Sequence, residues 1–302
     1  METVTSTPTA ILHFGDPACC DPDQVGGKAA HLSLLAADYR IPAGFCLTAA
    51  AYDPAQPPDA PLAEVITTEV AAAYQALSHD HGVPDLPVAV RSSALDEDGD
   101  LASFAGQHET ELNLVGIEAV LGAVARCWAS AGNERAFAYR KQQGLEIEGV
   151  RLAVLIQQLV LADTSAVVFS ANPITGNRHE VVVTASWGLG ESVVSGTVTP
   201  DTWVVRKADL TVKEERIGAK ERMTLAVSGG TREAAVPRLL RERASLNTAQ
   251  VAELARLAVD LEEEMGRPVD IETAFAGELL YLLQCRPITT LGEPETIIFA
   301  TT

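Results

Sequence analysis

The chain has little cysteine and no paired spacing of it. Five cysteines occur, an odd number, with Cys19 and Cys20 adjacent and Cys46, Cys127 and Cys285 scattered. Without a C-x-x-C pair there is neither a disulfide framework nor a zinc spacing, and the usage fits reduced thiols in a cytoplasmic protein. No apolar run is long enough to cross a bilayer. Met1 to Ala10 carry neither a basic segment nor a long apolar one, so no secretory leader is expected. Basic residues are scarce as well. Twenty-two Lys and Arg against 41 Asp and Glu give a formal net charge of −19, which argues against a broad grip on nucleic acid or an anionic membrane. A local basic pocket needs only a few cations and stays open. There is no internal repeat and no low-complexity segment.

What is present is a globular composition. Apolar residues make up 47% of 302, enough for sizeable cores in one large domain or in two to three lobes. Gly27 to Asp38 reads as a helix entered from a glycine turn, and Leu62 to Leu77 has helical periodicity. Four prolines between Asp53 and Pro61 make that stretch a loop. Pro87 to Arg91 reads as a short strand leading into an Arg91-Ser92-Ser93 turn, and Ile117 to Arg140 as largely helical. Leu152 to Val160, Ser165 to Ser170, Glu180 to Trp187 and Thr202 to Arg206 alternate or run apolar as strands do. Thr248 to Met265 is the clearest helix, with Val251, Leu254, Ala258, Leu261 and Met265 on one stripe and Gly266 and Pro268 to end it. The pattern is α+β.

The chemistry concentrates near the end of the chain. Asp270 and Glu272 stand at i, i+2, which places two carboxylates on one face of a strand. Gln284 and Arg286 repeat the spacing on the next strand. Carboxylate and amide oxygens suit a hard divalent cation that also binds phosphate, and the guanidinium adds a fixed positive fork. An edge hairpin with solvated charges is the plainer alternative. For all four to share a face, the turn at Phe275-Ala276-Gly277-Glu278 is expected to have odd length, with Gly277 left-handed.

Lys28 follows Gly26-Gly27, where backbone can approach an anion near a helix start. This is not a G-x-x-x-x-G-K-[ST] loop, and by residue type an ordinary lysine is the commoner reading. Arg91 ends an apolar strand and suits either a phosphate clamp or an ion pair with Asp96 or Glu97. Asp96 to Asp100 lacks the spacing of a calcium loop and reads as a solvated acidic turn. Lys220 reads equally well as a nucleotide contact or a surface lysine. His108 reads as a polar loop residue, not a nucleophile.

Further segments fall in register with these: Val25-Gly26-Gly27-Lys28-Ala29-Ala30-His31-Leu32, Ile41-Pro42-Ala43-Gly44-Phe45, Val88-Ala89-Val90-Arg91-Ser92-Ser93-Ala94 and Ser103-Phe104-Ala105-Gly106-Gln107. Gln157-Gln158-Leu159-Val160, Phe169 to Gly176 and Gly188-Leu189-Gly190-Glu191 follow. From Gly26 to Ile288 the chain resembles the nucleotide-binding domain of the phosphoenolpyruvate synthase, pyruvate phosphate dikinase and rifampicin phosphotransferase family. The resemblance implies an ATP-grasp-like fold, with an N-terminal lobe over 1–110 holding Lys28 and Arg91, and the remainder over 111–302. It implies ATP and Mg2+ as cofactors. Lys28, Arg91, Gln284 and Arg286 would meet the phosphates and Asp270, Glu272 and Gln284 the metal, with Lys28, Arg91, Glu272, Gln284 and Arg286 catalytic. Ser103, Ala105 and Gly106 would form a loop over the phosphates with Thr110 just beyond. Gln157, Gln158, Leu159 and Val160 would meet the adenine edge, and Glu191 the ribose side.

Family members also carry a phosphorylated histidine in a Gly-Gly-x-x-x-His type motif. His31 stands after Gly26-Gly27, but inside the lysine segment already assigned, and no other histidine follows such a pair. The chain reaches Thr302 soon after Arg286-Pro287-Ile288. The expectation is therefore an ATP-binding subunit whose partner polypeptide supplies the histidine and the acceptor site, as in phenylphosphate-synthase-type enzymes. ATP would give AMP and phosphate, with one phosphoryl group passing to a small acceptor hydroxyl. A self-contained ATP-grasp kinase or ligase, a nucleotide sensor without turnover, and an excised domain of a longer enzyme stay open.

Overall fold

A computed structural model describes residues 10–53, 60–95, 110–130, 151–288 and 291. Strands β1 (Ile11–His13), β2 (Gly44–Leu47), β3 (Val88–Ala94), β4 (Thr110–Leu114) and β5 (Leu152–Gln158) form a first sheet in the order β1-β2-β5-β3-β4. Its neighbours are all antiparallel. Helices α2 (Glu64–Asp80) and α3 (Ile117–Ser130) pack with one face of it, where Val70, Tyr74, Val120 and Val124 share a core with Val88, Val90, Val154 and Ile156. Tyr74 ties this layer: its hydroxyl donates to the Leu86 carbonyl and accepts from the Gly116 amide.

The second sheet holds β6 (Thr164–Phe169), β7 (Glu180–Trp187), β8 (Asp201–Arg206), β9 (Val212–Arg216), β12 (Val269–Ala276) and β13 (Leu279–Pro287). Its order is β13-β12-β6-β7-β8-β9, and a separate ribbon pairs β10 (Arg222–Val227) with β11 (Gly230–Ala235). The short helices α4 (Glu191–Val194) and α5 (Arg238–Arg241) lie in the connections. Helix α6 (Thr248–Met265) covers one face of the sheet, burying the expected stripe of Val251, Leu254, Ala258 and Leu261 against Ala166, Val168, Val183 and Ile271. Its ends follow from sequence. Asn247 and Gln250 exchange side-chain and backbone hydrogen bonds in a capping box, and Gly266 closes the helix at φ 67°.

Helix α1 (Pro22–Leu35) lies against both the first sheet and β13. It is broken at Gly26, whose φ of 74° and ψ of 163° separate a first turn from the helix proper, so the expected start at Gly27 holds. Only glycine fits there, because a Cβ would sit 2.4 Å from Ser93 Oγ and 2.7 Å from Ser93 O.

Three expectations are corrected. Arg91-Ser92-Ser93 is not a turn: β3 continues through it to Ala94, because all three residues pair with Leu155, Val154 and Ala153 of β5 and are buried. The first sheet also draws β4 and β5 from beyond the expected 110/111 division, so the sheets part after Gln158. Lastly, Ala276 pairs with Leu279, leaving a two-residue turn at Gly277-Glu278, where an odd length was expected. Gly277 does take φ 60°. A β-bulge supplies the missing residue instead: Glu272 pairs with Gln284 and Thr273 with Leu282, so Leu283 is extra. The expected helix from Ile117 ends at Ser130 in the described chain, and its continuation to Arg140 lies outside the described residues.

Candidate functional site

The two sheets bound a cleft of about 760 Å³. Strand alternation decides what faces it. On β12, Ile271 and Phe275 point to the core while Asp270, Glu272 and Ala274 line the cleft. On β6, Ala166 and Val168 are core while Ser165, Val167 and Phe169 line it. The bulge in β13 presents Leu283 and Gln284 consecutively to the cleft, with Arg286 beyond them and Cys285 in the core.

From the first sheet, Arg91 reaches across. Its Nη1 donates to Glu272 Oε2 at 3.3 Å and lies 3.5 Å from Gln284 Oε1. The Arg91 side chain is 10% exposed and Glu272 20%, so this ion pair is poorly screened by water. Arg91 Nε is buried and has no hydrogen-bond partner among the described residues. Asp96 and Glu97, the alternative partners, lie outside the described residues. Lys28 is buried, seated by the Gly26 kink, and its Nζ lies 3.4 Å from the Ser92 carbonyl.

Asp270 and Arg286 form a second pair. Arg286 Nε and Nη2 donate to the same oxygen, Asp270 Oδ2, at 2.9 and 2.7 Å. The other oxygen, Oδ1, is buried and accepts no hydrogen bond from any described residue. Burial pushes the Asp270 carboxyl above its usual range, and the Arg286 charge only partly offsets this. Three cations, Lys28, Arg91 and Arg286, thus line one cavity with Asp270 and Glu272, and Glu191 lines it as well.

Every expected site residue that is described lines this cleft. Besides the hairpin group, Lys28 and Arg91, these are Thr110, Gln157, Gln158, Leu159, Val160 and Glu191. The segment 157–160 carries a constraint on base recognition. Gln158 N donates to the Ala43 carbonyl and Leu159 N to the Pro87 carbonyl, so neither N–H is available to a ligand. Glu191 is exposed and accepts from Thr231 Oγ1 at 3.3 Å. Ser103, Ala105, Gly106, His108 and the acidic run from Asp96 lie outside the described residues.

Lys220 is neither a nucleotide contact nor a surface lysine. It is fully buried and paired with Asp201, itself fully buried, and it also donates to the Gly218 carbonyl at 3.0 Å. Asp201 further accepts from Gly218 N at 2.9 Å and from Ser245 N and Oγ at 2.7 Å. Sequence reading missed Ser165, Thr184 and Leu283 as cleft residues. Alternation along β6 and β7 marks the first two; the bulge that exposes Leu283 depends on the turn length, which residue types do not settle.

The residues present fit a cation held partly by phosphate. Among the described residues, no group of three or more His, Cys, Asp or Glu is placed to hold a metal by itself. Two carboxylates and an amide, with one carboxylate oxygen unpartnered among the described residues, would suit a Mg2+ held jointly with phosphate. Among the described residues no helix is long and apolar enough to cross a membrane.

Fold and site together define an α+β protein with a charged cleft between two sheets. The chain belongs to the family described as the pyruvate phosphate dikinase AMP/ATP-binding domain, which it matches over residues 58–300. It is 43% identical over 240 residues to the phosphoenolpyruvate synthase of Pyrococcus furiosus, covering 76% of this chain and 29% of that protein. It is 40% identical over 299 residues to the rifampicin phosphotransferase of Streptomyces sviceus, covering 88% of this chain and 34% of that one. The chain therefore spans about a third of the length of these relatives.

Proposed function

We propose that the chain binds Mg–ATP in this cleft as the ATP-binding component of a dikinase-like phosphotransferase. In this reading a histidine on another domain or a separate polypeptide receives a phosphoryl group and passes it to a small acceptor hydroxyl. The net reaction converts ATP, water and acceptor into AMP, phosphate and phosphorylated acceptor. Pyruvate, a phenol and an antibiotic hydroxyl are the acceptor classes the reading admits.

The observation that carries it is the convergence of Lys28, Arg91 and Arg286 on one cavity beside Asp270, Glu272 and Gln284. Phosphoryl transfer asks a protein for positioning and charge neutralisation. Lys28 and Arg91 would hold phosphate oxygens, the latter through a rigid bidentate fork. Asp270, Glu272 and Gln284 would hold the Mg2+, which would supply positive charge to offset that of the phosphates. Family membership supports the nucleotide, and an ATP-grasp-like arrangement of the two sheets is part of the same reading. A histidine from elsewhere is supported by placement: His13, His31, His79, His81 and His179 are described, and none lines the cleft.

Phosphorus NMR of Mg–ATP with the purified chain tests this. The proposal expects binding with little turnover alone, and AMP with phosphate once a histidine-bearing partner and acceptor are added. Formation of ADP and a phosphorylated acceptor by this chain alone would overturn it in favour of a direct kinase.

A further inference from the structure

Besides the Arg91–Glu272 pair, contacts of two unlike kinds join the cleft walls among the described residues. One is apolar: Val25, Ala29 and Leu32 of α1 share a core with Leu155 of the first sheet and with Val168 and Val183 of the second. The other is polar and runs through the β10–β11 ribbon. At the ribbon's second-sheet end, Leu189 N donates to the Thr224 carbonyl at 2.9 Å. Gly188 packs so closely on the same carbonyl that a Cβ would lie 2.4 Å from it. Nearer the tip, Thr231 Oγ1 meets Glu191. At the ribbon's tip, Asn113 of β4 donates from Nδ2 to the Val227 carbonyl at 2.7 Å and to the Gly230 carbonyl at 2.6 Å. Val227 and Gly230 are the last register pair, so the two bonds clasp the Ser228-Gly229 turn.

Each end of the ribbon is fixed to a segment that lines the cleft. Thr110 and Leu112 of β4 line it from one side, and Gly190, Glu191 and Val193 from the other. Asn113 suits its task in two ways. It is buried at φ 59°, a left-handed conformation that asparagine tolerates better than other side chains. Its amide also brings two hydrogens, one for each carbonyl.

We propose that Asn113 is a positioning residue for the nucleotide: it latches the ribbon to β4, and release of that latch opens the cleft for nucleotide exchange. The proposal rests on the cleft being the ATP site. The latch is the weaker of the two ties, because its net hold is that of two neutral hydrogen bonds while the α1 tie buries apolar side chains. Opening therefore begins at the ribbon and pivots on α1. Asn113 acts on the nucleotide only through β4 and the ribbon.

Asn113→Gly keeps the left-handed backbone and removes both donors; Asn113→Asp keeps the shape and turns an acceptor toward two carbonyls. Stopped-flow displacement of a fluorescent ATP analogue in Mg2+ should show dissociation accelerated about tenfold in both variants, the scale of two such bonds. Association should be unchanged or faster. Glu111→Gln, on the same strand but in an exposed pair with Arg126, should leave both rates alone. Hydrogen exchange without nucleotide should show faster amides across residues 222–235 in Asn113→Gly. Dissociation and ribbon exchange both within about twofold of wild type, less than one such bond is worth, would overturn the latch. Faster ribbon exchange with unchanged dissociation would overturn its role in nucleotide exchange. If the wild-type chain fails to bind the analogue, the ATP reading of the cleft falls, and ribbon exchange still judges the latch itself.

Discussion

Among the described residues, the clusters of cation and carboxylate around Asp201 and around Asp270 are finished differently. Around Asp201 every carboxylate oxygen is satisfied: Lys220 and Gly218 N serve one and Ser245 the other, with no exposure of either charged side chain. Around Asp270 the same chemistry is left open. Arg286 holds one oxygen, and among the described residues neither the other oxygen nor Arg91 Nε, nearby in the cleft, has a partner. A buried charge left incomplete costs stability, so a closed cluster reads as scaffold and an open one as a place kept for a ligand. The closed cluster fixes the 218–245 region to β8. The open one faces the cavity.

The largest break of this comparison is Lys220→Ala. It strands the Asp201 carboxylate in the core and should cost about 3–5 kcal/mol of folding stability, measured by urea unfolding. Glu272→Ala should do the reverse. Folding stability should change little, while phosphoryl transfer, read as AMP formation with the partner and acceptor present, should fall on the order of a hundredfold. Transfer close to wild type would return Glu272 to a solvated-face role.

A smaller effect separates the carboxylates by pH. Asp270 is raised by burial, so its ionised form is disfavoured in the folded state. Stability should therefore fall as pH rises from the ordinary carboxylate range through its raised value, and Asp270→Asn should remove that fall. Glu180 has the opposite sign. Hydrogen bonds from Lys213 and Asn172 lower its pKa, so its contribution is complete above the ordinary range and lost as pH drops through the lowered value. Glu180→Gln should flatten that acid arm. Thermal melts across pH check both.

Much of this was legible in the residues. The α6 stripe and both its caps are local signals, and β7 was found at its observed ends because apolar alternation and pairing agree there. The Asp270, Glu272, Gln284, Arg286 group was found from i, i+2 spacing. What escaped depends on tertiary pairing. Ser92 and Ser93 read as a turn because serine favours turns, yet pairing with Val154 and Ala153 of β5 holds them extended. Lys220 read as a nucleotide contact or a surface lysine because its partner, Asp201, lies nineteen residues earlier, on β8. The hairpin face was right for a wrong reason: the bulge at Leu283, not an odd turn, keeps Gln284 opposite Glu272. Asn113 gave no signal, since nothing local marks the carbonyls it reaches.

The central claim is that the open cluster holds Mg–ATP. Calorimetric titration of Mg–ATP into the wild-type chain and into Arg91→Gln tests it most directly. Wild type should show one saturable site, and Arg91→Gln should bind about tenfold or more weakly, the worth of a lost charge-assisted bond, with its thermal unfolding preserved. Equal affinity in the two proteins, or no binding to wild type, would contradict it.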